Sequence, residues 1–252
     1  MEESLTKVTL TRFTNEPVIA AEEAASMCYK STPSTDGRII RHCYNNGHHS
    51  VLEHVFVTFH VEGVSRVLLA QLTRHRFISF SVESQRYVSY ENGFKYIIPP
   101  AIVALGEKAV ADYDAQMETI NYWYRDWQER LGGAGEKSNE DARFVLPNAT
   151  CTNLVCSMNL REFIHLCNER LCTRAQWEIR QLVRQMVHEF NMATDNAFKD
   201  MLVPKCEKDK KHPYCTESKK DTCGMHPRLD DVYRVPDGWK PAPRKDEVGI
   251  NE

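Results

Sequence analysis

Residues 54–76, HVFVTFHVEGVSRVLLAQLTRHR, change their apolar period in mid-course. Val55, Val57, Phe59 and Val61 fall on one side of an extended chain and Phe56, Thr58 and His60 on the other, which is the period-two pattern of a strand. From there Val64, Val67, Leu68 and Leu72 recur at helical spacing, so the strand feeds a helix, and Arg74-His75-Arg76 stand at that helix's end.

The same reading extends in both directions. VTLTRF (8–13) alternates like a strand, EEAASMCYK (22–30) reads as a helix, and GRIIRHCYNNG (37–47) as a second helix closed by Gly47. Downstream, RYVSYENGFKYIIPP (86–100) has the form of a hairpin turning at Glu91-Asn92-Gly93 and stopped by Pro99-Pro100. A helix rich in Ala, Tyr and Trp is expected from about Ala101 to Leu131, and GGAGEKSNED (132–141) as a flexible surface connection. Between Leu160 and Leu202 the apolar residues recur at helical spacing, as one long helix or two joined ones. Helices packed around a modest, mostly antiparallel sheet make the fold class α+β. A main domain over 1–203 and a polar Cys/Lys-rich tail over 204–252 complete the expected organisation.

Composition limits the function classes. The chain has 252 residues, 42% of them hydrophobic, and a net charge of -3, so no global field recruits nucleic acid or anionic lipid. No apolar run approaches the ~20 residues that span a bilayer, and the expected location is the cytoplasm, with no membrane partner. Nine cysteines, with Cys151, Cys156, Cys167 and Cys172 in patterns read as helical, suit free thiols in a reducing compartment.

The chemistry-bearing stretch is RHRFISFSVESQRY, residues 74–87. Arginine forks contact phosphates and planar acceptors bidentately, and serine hydroxyls complete such a cage; Arg74, Arg76, Ser84 and Arg86 meet that need. A solvated charge run is the plain alternative, but these arginines alternate with Phe77, Phe80 and Tyr87. A binding module that stacks bases on those rings is a second alternative, and the near-balanced charge argues against it. A second constellation, NLREFIHLCNERLCTRAQWEIR (159–180), spaces Arg161, His165 and Glu169 by four, and Arg170 and Arg174 likewise. Surface pairing with Glu162, Glu169 and Glu178 would explain it equally well. The usual cofactor signatures, G-x-G-x-x-G and the P-loop among them, are missing.

These residues carry a resemblance. Arg74-His75-Arg76, seven residues, then Ser84 and Gln85-Arg86-Tyr87 resemble the signature of flavin-dependent thymidylate synthases. GHHSVLEH (47–54) is similar to that family's G-H-x-S/T-x-x-E-H segment, RFVLP (143–147) to its R-x-x-L-P turn, and ERLCTRAQWEIR (169–180) to its late helix. The likeness runs in order over roughly residues 5–202. It implies a homotetramer with active sites between subunits, holding FAD and converting dUMP to dTMP with 5,10-methylenetetrahydrofolate and NADPH as co-substrates. By position, dUMP would meet Gln71, Leu72, Thr73 and Arg74, then Val82, Glu83, Ser84, Gln85 and Arg86, and finally Arg143 and Arg170. FAD would meet His48, Ser50 and Glu53, then Arg74, His75, Arg76 and Val82, and on the late helix Asn159, Leu160, Arg161 and His165. Arg170 stands in the catalytic position. A permanent cation at the ring edge would stabilise the enolate-like form of uracil. Val82 departs from the family pattern, where a polar residue commonly precedes the Glu83 position, and can offer only backbone or packing.

The resemblance does not reach the tail. There Cys206, Cys215, Cys223, His212 and His226 could hold zinc, but no C-x-x-C anchors them, and the expectation is loose thiols with no metal.

Overall fold

A computed structural model describes residues 6–90 and 92–232. Contacts divide the chain into a unit over residues 1–205 and a second over 206–252.

In the first unit the order is β1 (Lys7–Phe13), α1 (Pro17–Tyr29), α2 (Arg38–Asn45), a 3-10 turn (His49–His54), β2 (Phe56–Ser65), α3 (Arg66–Leu72) and β3 (Ser79–Val82). Then follow α4 (Pro100–Val103), α5 (Glu107–Arg130), α6 (Glu136–Ala142), β4 (Cys151–Asn159), α7 (Leu160–Arg170) and α8 (Trp177–Ala193). The strands form one antiparallel sheet in the order β1-β2-β4-β3, an α+β architecture.

The alternation read in β2 holds: Val57, Phe59 and Val61 are buried, while Phe56, Thr58 and His60 are not. Gly63, at φ 66°, sits where the β2–β4 register slips between Val61 and Val64, a bulge that suits a residue without Cβ. Its N–H donates to Asn153 Oδ1 at 3.0 Å, which pins the bulge. Ser65 then caps α3, its hydroxyl accepting the Leu68 N–H at 3.0 Å. The core lies between the sheet and α7 and α8. Phe59 packs on Phe163 (centroids 5.4 Å), Phe163 on Phe190 (5.8 Å) and Phe190 on Phe198 (5.7 Å).

Several expectations need correction. Cys151 and Cys156 lie in β4, not in a helix; Leu154, Cys156 and Met158 face the core and Val155 faces out, so the short apolar segment is a buried strand. No hairpin forms over the described residues of 86–100, and Glu91 of its proposed turn lies outside them. Tyr96 instead makes an isolated bridge to Thr150. The reason is aromatic packing: Tyr90 lies 6.0 Å from the Tyr124 ring of α5 and Tyr96 6.0 Å from Tyr113, so the segment spends its apolar side chains on that helix rather than on itself. The helix expected from Ala101 is cut at Gly106, whose φ of 98° a helix cannot accommodate, into α4 and α5. Part of GGAGEKSNED is helical as α6, with Ser138 and Asn139 buried. The late apolar run resolves into two helices, and Arg174 falls in the turn after α7 rather than on it.

In the second unit, residues 206–232 are described, ending in a short α9 (Leu229–Val232). Cys215 pairs with Arg228 in a parallel bridge, its N–H donating to Pro227 O at 2.7 Å and its carbonyl accepting from Leu229 N at 2.8 Å. Among the described residues of this unit Cys215 alone is buried.

Candidate active site

Sheet register brings the separate motifs together. Phe56 at the start of β2 pairs with Asn159 at the end of β4, and Ser79 at the start of β3 pairs with Ser157. The 3-10 turn before β2, the Arg74–Phe77 stretch before β3 and α7 after β4 therefore gather at one end of the sheet. The Val55 carbonyl accepts the Leu160 N–H at 2.7 Å, which locks the turn to the start of α7. Glu53 and Arg161 form an ion pair across this junction. His48, Ser50 and His165 are exposed beside it.

At the centre is a three-residue chain. Arg170, the last residue of α7, donates from Nε to His75 Nε2 at 3.0 Å. The other ring nitrogen, Nδ1, lies 3.6 Å from Glu162 Oε1, slightly too long for a hydrogen bond. Because Nε2 accepts, the ring proton belongs on Nδ1, facing the carboxylate. His75 and Glu162 are 5% and 8% exposed in their side chains, so this chain is built into the interior. His165 completes the corner, its ring 5.8 Å from that of His75. His75, Glu162 and His165 offer three ligand atoms within 4.8 Å of one another, but the guanidinium bonded to the same imidazole opposes a cation there.

The two flanking arginines behave differently from His75. Arg74 and Arg76 are exposed, and among the described residues neither guanidinium has an ion-pair partner. Phe77 beside them is 81% exposed. Unpaired cations and an exposed ring fit an anionic, aromatic group such as FAD at this end.

The remaining candidates lie elsewhere on the sheet. Val82 pairs with Leu154, and Glu83 continues the ladder through its N–H to Asn153 O at 2.9 Å, one length of β3 (roughly 13 Å) from Ser79. The Glu83 carboxylate accepts from Asn153 Nδ2 at 2.7 Å and from Tyr90 OH at 3.3 Å; burial first, then Glu83, pushes the Tyr90 phenol up. Ser84 Oγ accepts the Arg86 N–H at 3.2 Å. Arg86 is ion-paired with Glu136 and Glu140 of α6, each at 2.9 Å, and Arg143 Nε donates to the Glu140 carbonyl at 3.1 Å. Gln85 Nε2 is buried without a partner, another atom suited to a ligand. Gln71 and Thr73 close α3 with bonds back to Val67 O and Leu69 O, and Leu72 and Leu160 are fully buried, backbone included, so they support the site by packing. Asn159 uses its Oδ1 to cap α7 through the Glu162 N–H at 2.9 Å. One chain thus joins the expected FAD residues other than Val82 with Gln71–Arg74 and Arg170, and holds Val82–Arg86 and Arg143 apart from them. Two surface grooves, one lined by Lys7, Gln181 and His188 and one by Asp36, Gly37 and Arg41, include none of these residues.

Two carboxylates of the late motif do not lie on the surface as their helical spacing suggests. Glu162 and Glu178 were candidates for surface pairing, yet both are buried. Asn159-x-x-Glu162 has the form of a capping box, which would turn the carboxylate back on the helix start, but the Asn159 backbone is already in the sheet and Glu162 turns to His75. Glu178 accepts from Ser65 N at 2.7 Å and Ser65 Oγ at 2.5 Å, a contact over 113 residues that no local pattern announces. Cys172, within the late motif, is half-buried two residues past Arg170.

Comparison with known proteins adds a family. A family model described as thymidylate synthase complementing protein matches residues 9–194. A flavin-dependent thymidylate synthase of Nitratidesulfovibrio vulgaris is 38% identical over 239 residues, covering 88% of this chain and 95% of the relative. One from Clostridium tetani is 36% identical, covering 77% and 85%. In structure, Thymidylate Synthase X of Helicobacter pylori, solved with FAD and dUMP, aligns with TM-score 0.59 at 22% identity, over 78% of this chain and 99% of that one.

Proposed function

This chain belongs to the flavin-dependent thymidylate synthase family, and we propose that it converts dUMP to dTMP with a one-carbon unit from 5,10-methylenetetrahydrofolate and reducing equivalents from NADPH. FAD is its cofactor, and when bound it supplies the hydride. The observation that supports the residue assignments is the convergence of three sequence-distant motifs at one end of the sheet, two of them joined in the Glu162–His75–Arg170 chain and the third tied in by Glu53–Arg161.

In this reading Arg170 is the activating cation. The bond from Nε to His75 fixes the guanidinium plane and leaves the Nη1 and Nη2 edge for a bidentate contact with a planar acceptor such as a uracil edge. His75 is held in the accepting tautomer by Glu162, so the guanidinium does not have to reorganise as charge grows on the ring. Arg74 and Arg76 supply fixed positive charge for phosphate groups, and Asn159 and Arg161 set the start of α7.

We further propose a homotetramer with shared sites, working in the cytoplasm. Its support is the separation, within one chain, of Glu83–Arg86 and Arg143 from Arg170, together with Tyr122, Trp123 and Trp127 exposed on α5 and Phe144 83% exposed beside Arg143. No helix among the described residues is long and apolar enough to cross a membrane.

The test is the absorption spectrum of the purified protein, followed by anaerobic NADPH. A bound flavin band that bleaches is expected. A protein that takes up no FAD rejects the reading.

A further inference from the structure

We propose that the C-terminal unit holds a zinc ion on Cys206, Glu207 and His226, a site the synthase reading does not use. Their ligand atoms all lie within 4.8 Å of one another. Thiolate, imidazole and carboxylate together are a donor set that suits Zn2+. In a tetrahedral site with bonds of about 2.0–2.3 Å, neighbouring ligand atoms sit roughly 3.3–3.8 Å apart, so closure onto the ion needs movements of about 1 Å.

The backbone holds this corner in place. Tyr214 N–H donates to the Cys206 carbonyl at 3.1 Å, and Cys215 N–H to Pro227 O at 2.7 Å, which ties the segment of Cys206 to that of His226 through residues 214 and 215. Glu207 and His226, 19 residues apart in sequence, thereby meet with Oε1 and Nε2 at 3.5 Å. The two side chains are 39% and 21% exposed, which leaves an entry path for an ion. Of the other groups singled out in the tail, His212 is drawn to Asp209 at 3.7 Å, Cys223 is exposed and Cys215 is buried in its bridge.

The unit also needs a staple. Among the described residues of this unit only Cys215 is buried, and scaffolds below about 70 residues are commonly held by a disulfide or a metal. No disulfide joins any of the nine cysteines. Zinc binding would supply the missing folding free energy.

The experiment uses the full chain, stripped with a chelator and titrated with ZnCl2 against a competing indicator, then with CoCl2 while the thiolate-to-cobalt charge-transfer band is followed. One tight equivalent of zinc per chain and a charge-transfer band are expected. Cys206→Ser and His226→Asn should each weaken zinc at least about tenfold, Glu207→Gln should weaken it with little change of shape, and Cys28→Ser should leave it unchanged. An unchanged far-UV circular dichroism spectrum reports that each variant is folded. Absence of a charge-transfer band in the unaltered chain, or zinc affinity that survives Cys206→Ser, overturns the proposal, and neither result depends on whether the synthase assignment is right.

Discussion

Replacing Ser65 with alanine should unseat α3, the helix that delivers Gln71, Arg74 and His75. The Ser65 hydroxyl has two roles: it accepts the Leu68 N–H at 3.0 Å as the helix cap, and it donates to Glu178 Oε2 at 2.5 Å. Loss of a cap costs about 1 kcal/mol. Loss of a hydrogen bond to a charged group costs about 1.5–3 kcal/mol. Glu178 is 4% exposed, so water cannot readily replace the lost donor, and the upper part of that range applies. The sum is about 3.5–4 kcal/mol, a fall in melting temperature of roughly 7–16 °C for a chain of this size. The assay is thermal unfolding at fixed protein and FAD concentration, because bound flavin itself raises the transition. A double-mutant cycle with Glu178→Ala should give a coupling of about 1.5–3 kcal/mol between the two positions. A loss below about 1 kcal/mol, or a coupling near zero, would refute the claim that this pair anchors the motif helix.

Other outcomes follow from the same contacts. Arg170→Lys should lose most dTMP formation while FAD stays bound, since an ammonium lacks the planar fork, whereas Cys172→Ser should keep turnover; steady-state assays with a flavin spectrum check both. Glu162→Gln should lower turnover about tenfold or more with little change in FAD content, because the amide can present its NH2 to His75 and favour the wrong tautomer; a pH–rate profile separates this from simple unfolding. At high pH the buried thiols should destabilise the fold. Burial pushes Cys151 up to about 11 and Cys156 up to about 12, and Cys167 moves in the same direction. A raised thiol pKa means the folded chain keeps a proton that the unfolded chain releases above about 9, so stability is complete below that pH and is lost as pH climbs toward those values. Between about pH 8 and about pH 10 the first two thiols together should cost roughly 2–3 kcal/mol, about half of it removed in Cys156→Ala, as read from urea midpoints.

What the sequence disclosed depended on how local the cause was. β2 and α3 were legible because a change from period two to helical spacing is written within one stretch, and the site motifs were legible as ordered residue types along the chain. β4 was missed because CTNLVCSMN is short and its cysteines look as helical as they look extended; pairing with β2 and β3 decides it. The segment after Tyr87 carries turn residues that suggest a hairpin, but its aromatic rings belong to α5, which begins well beyond it. Glu178 and Ser65 meet over 113 residues, and only the tertiary fold makes that carboxylate part of the motif helix. The tail appeared loose because its donors follow no standard spacing; what brings Cys206, Glu207 and His226 together is backbone pairing around residues 214, 215 and 227.

The most direct test of the account is an anaerobic single-turnover reaction of the FAD-loaded, reduced protein with dUMP and 5,10-methylenetetrahydrofolate. dTMP should form as the flavin reoxidises, and Arg170→Lys should hold reduced flavin without forming dTMP. Reduced flavin that persists in the unaltered protein with both substrates present, and no dTMP, would contradict it.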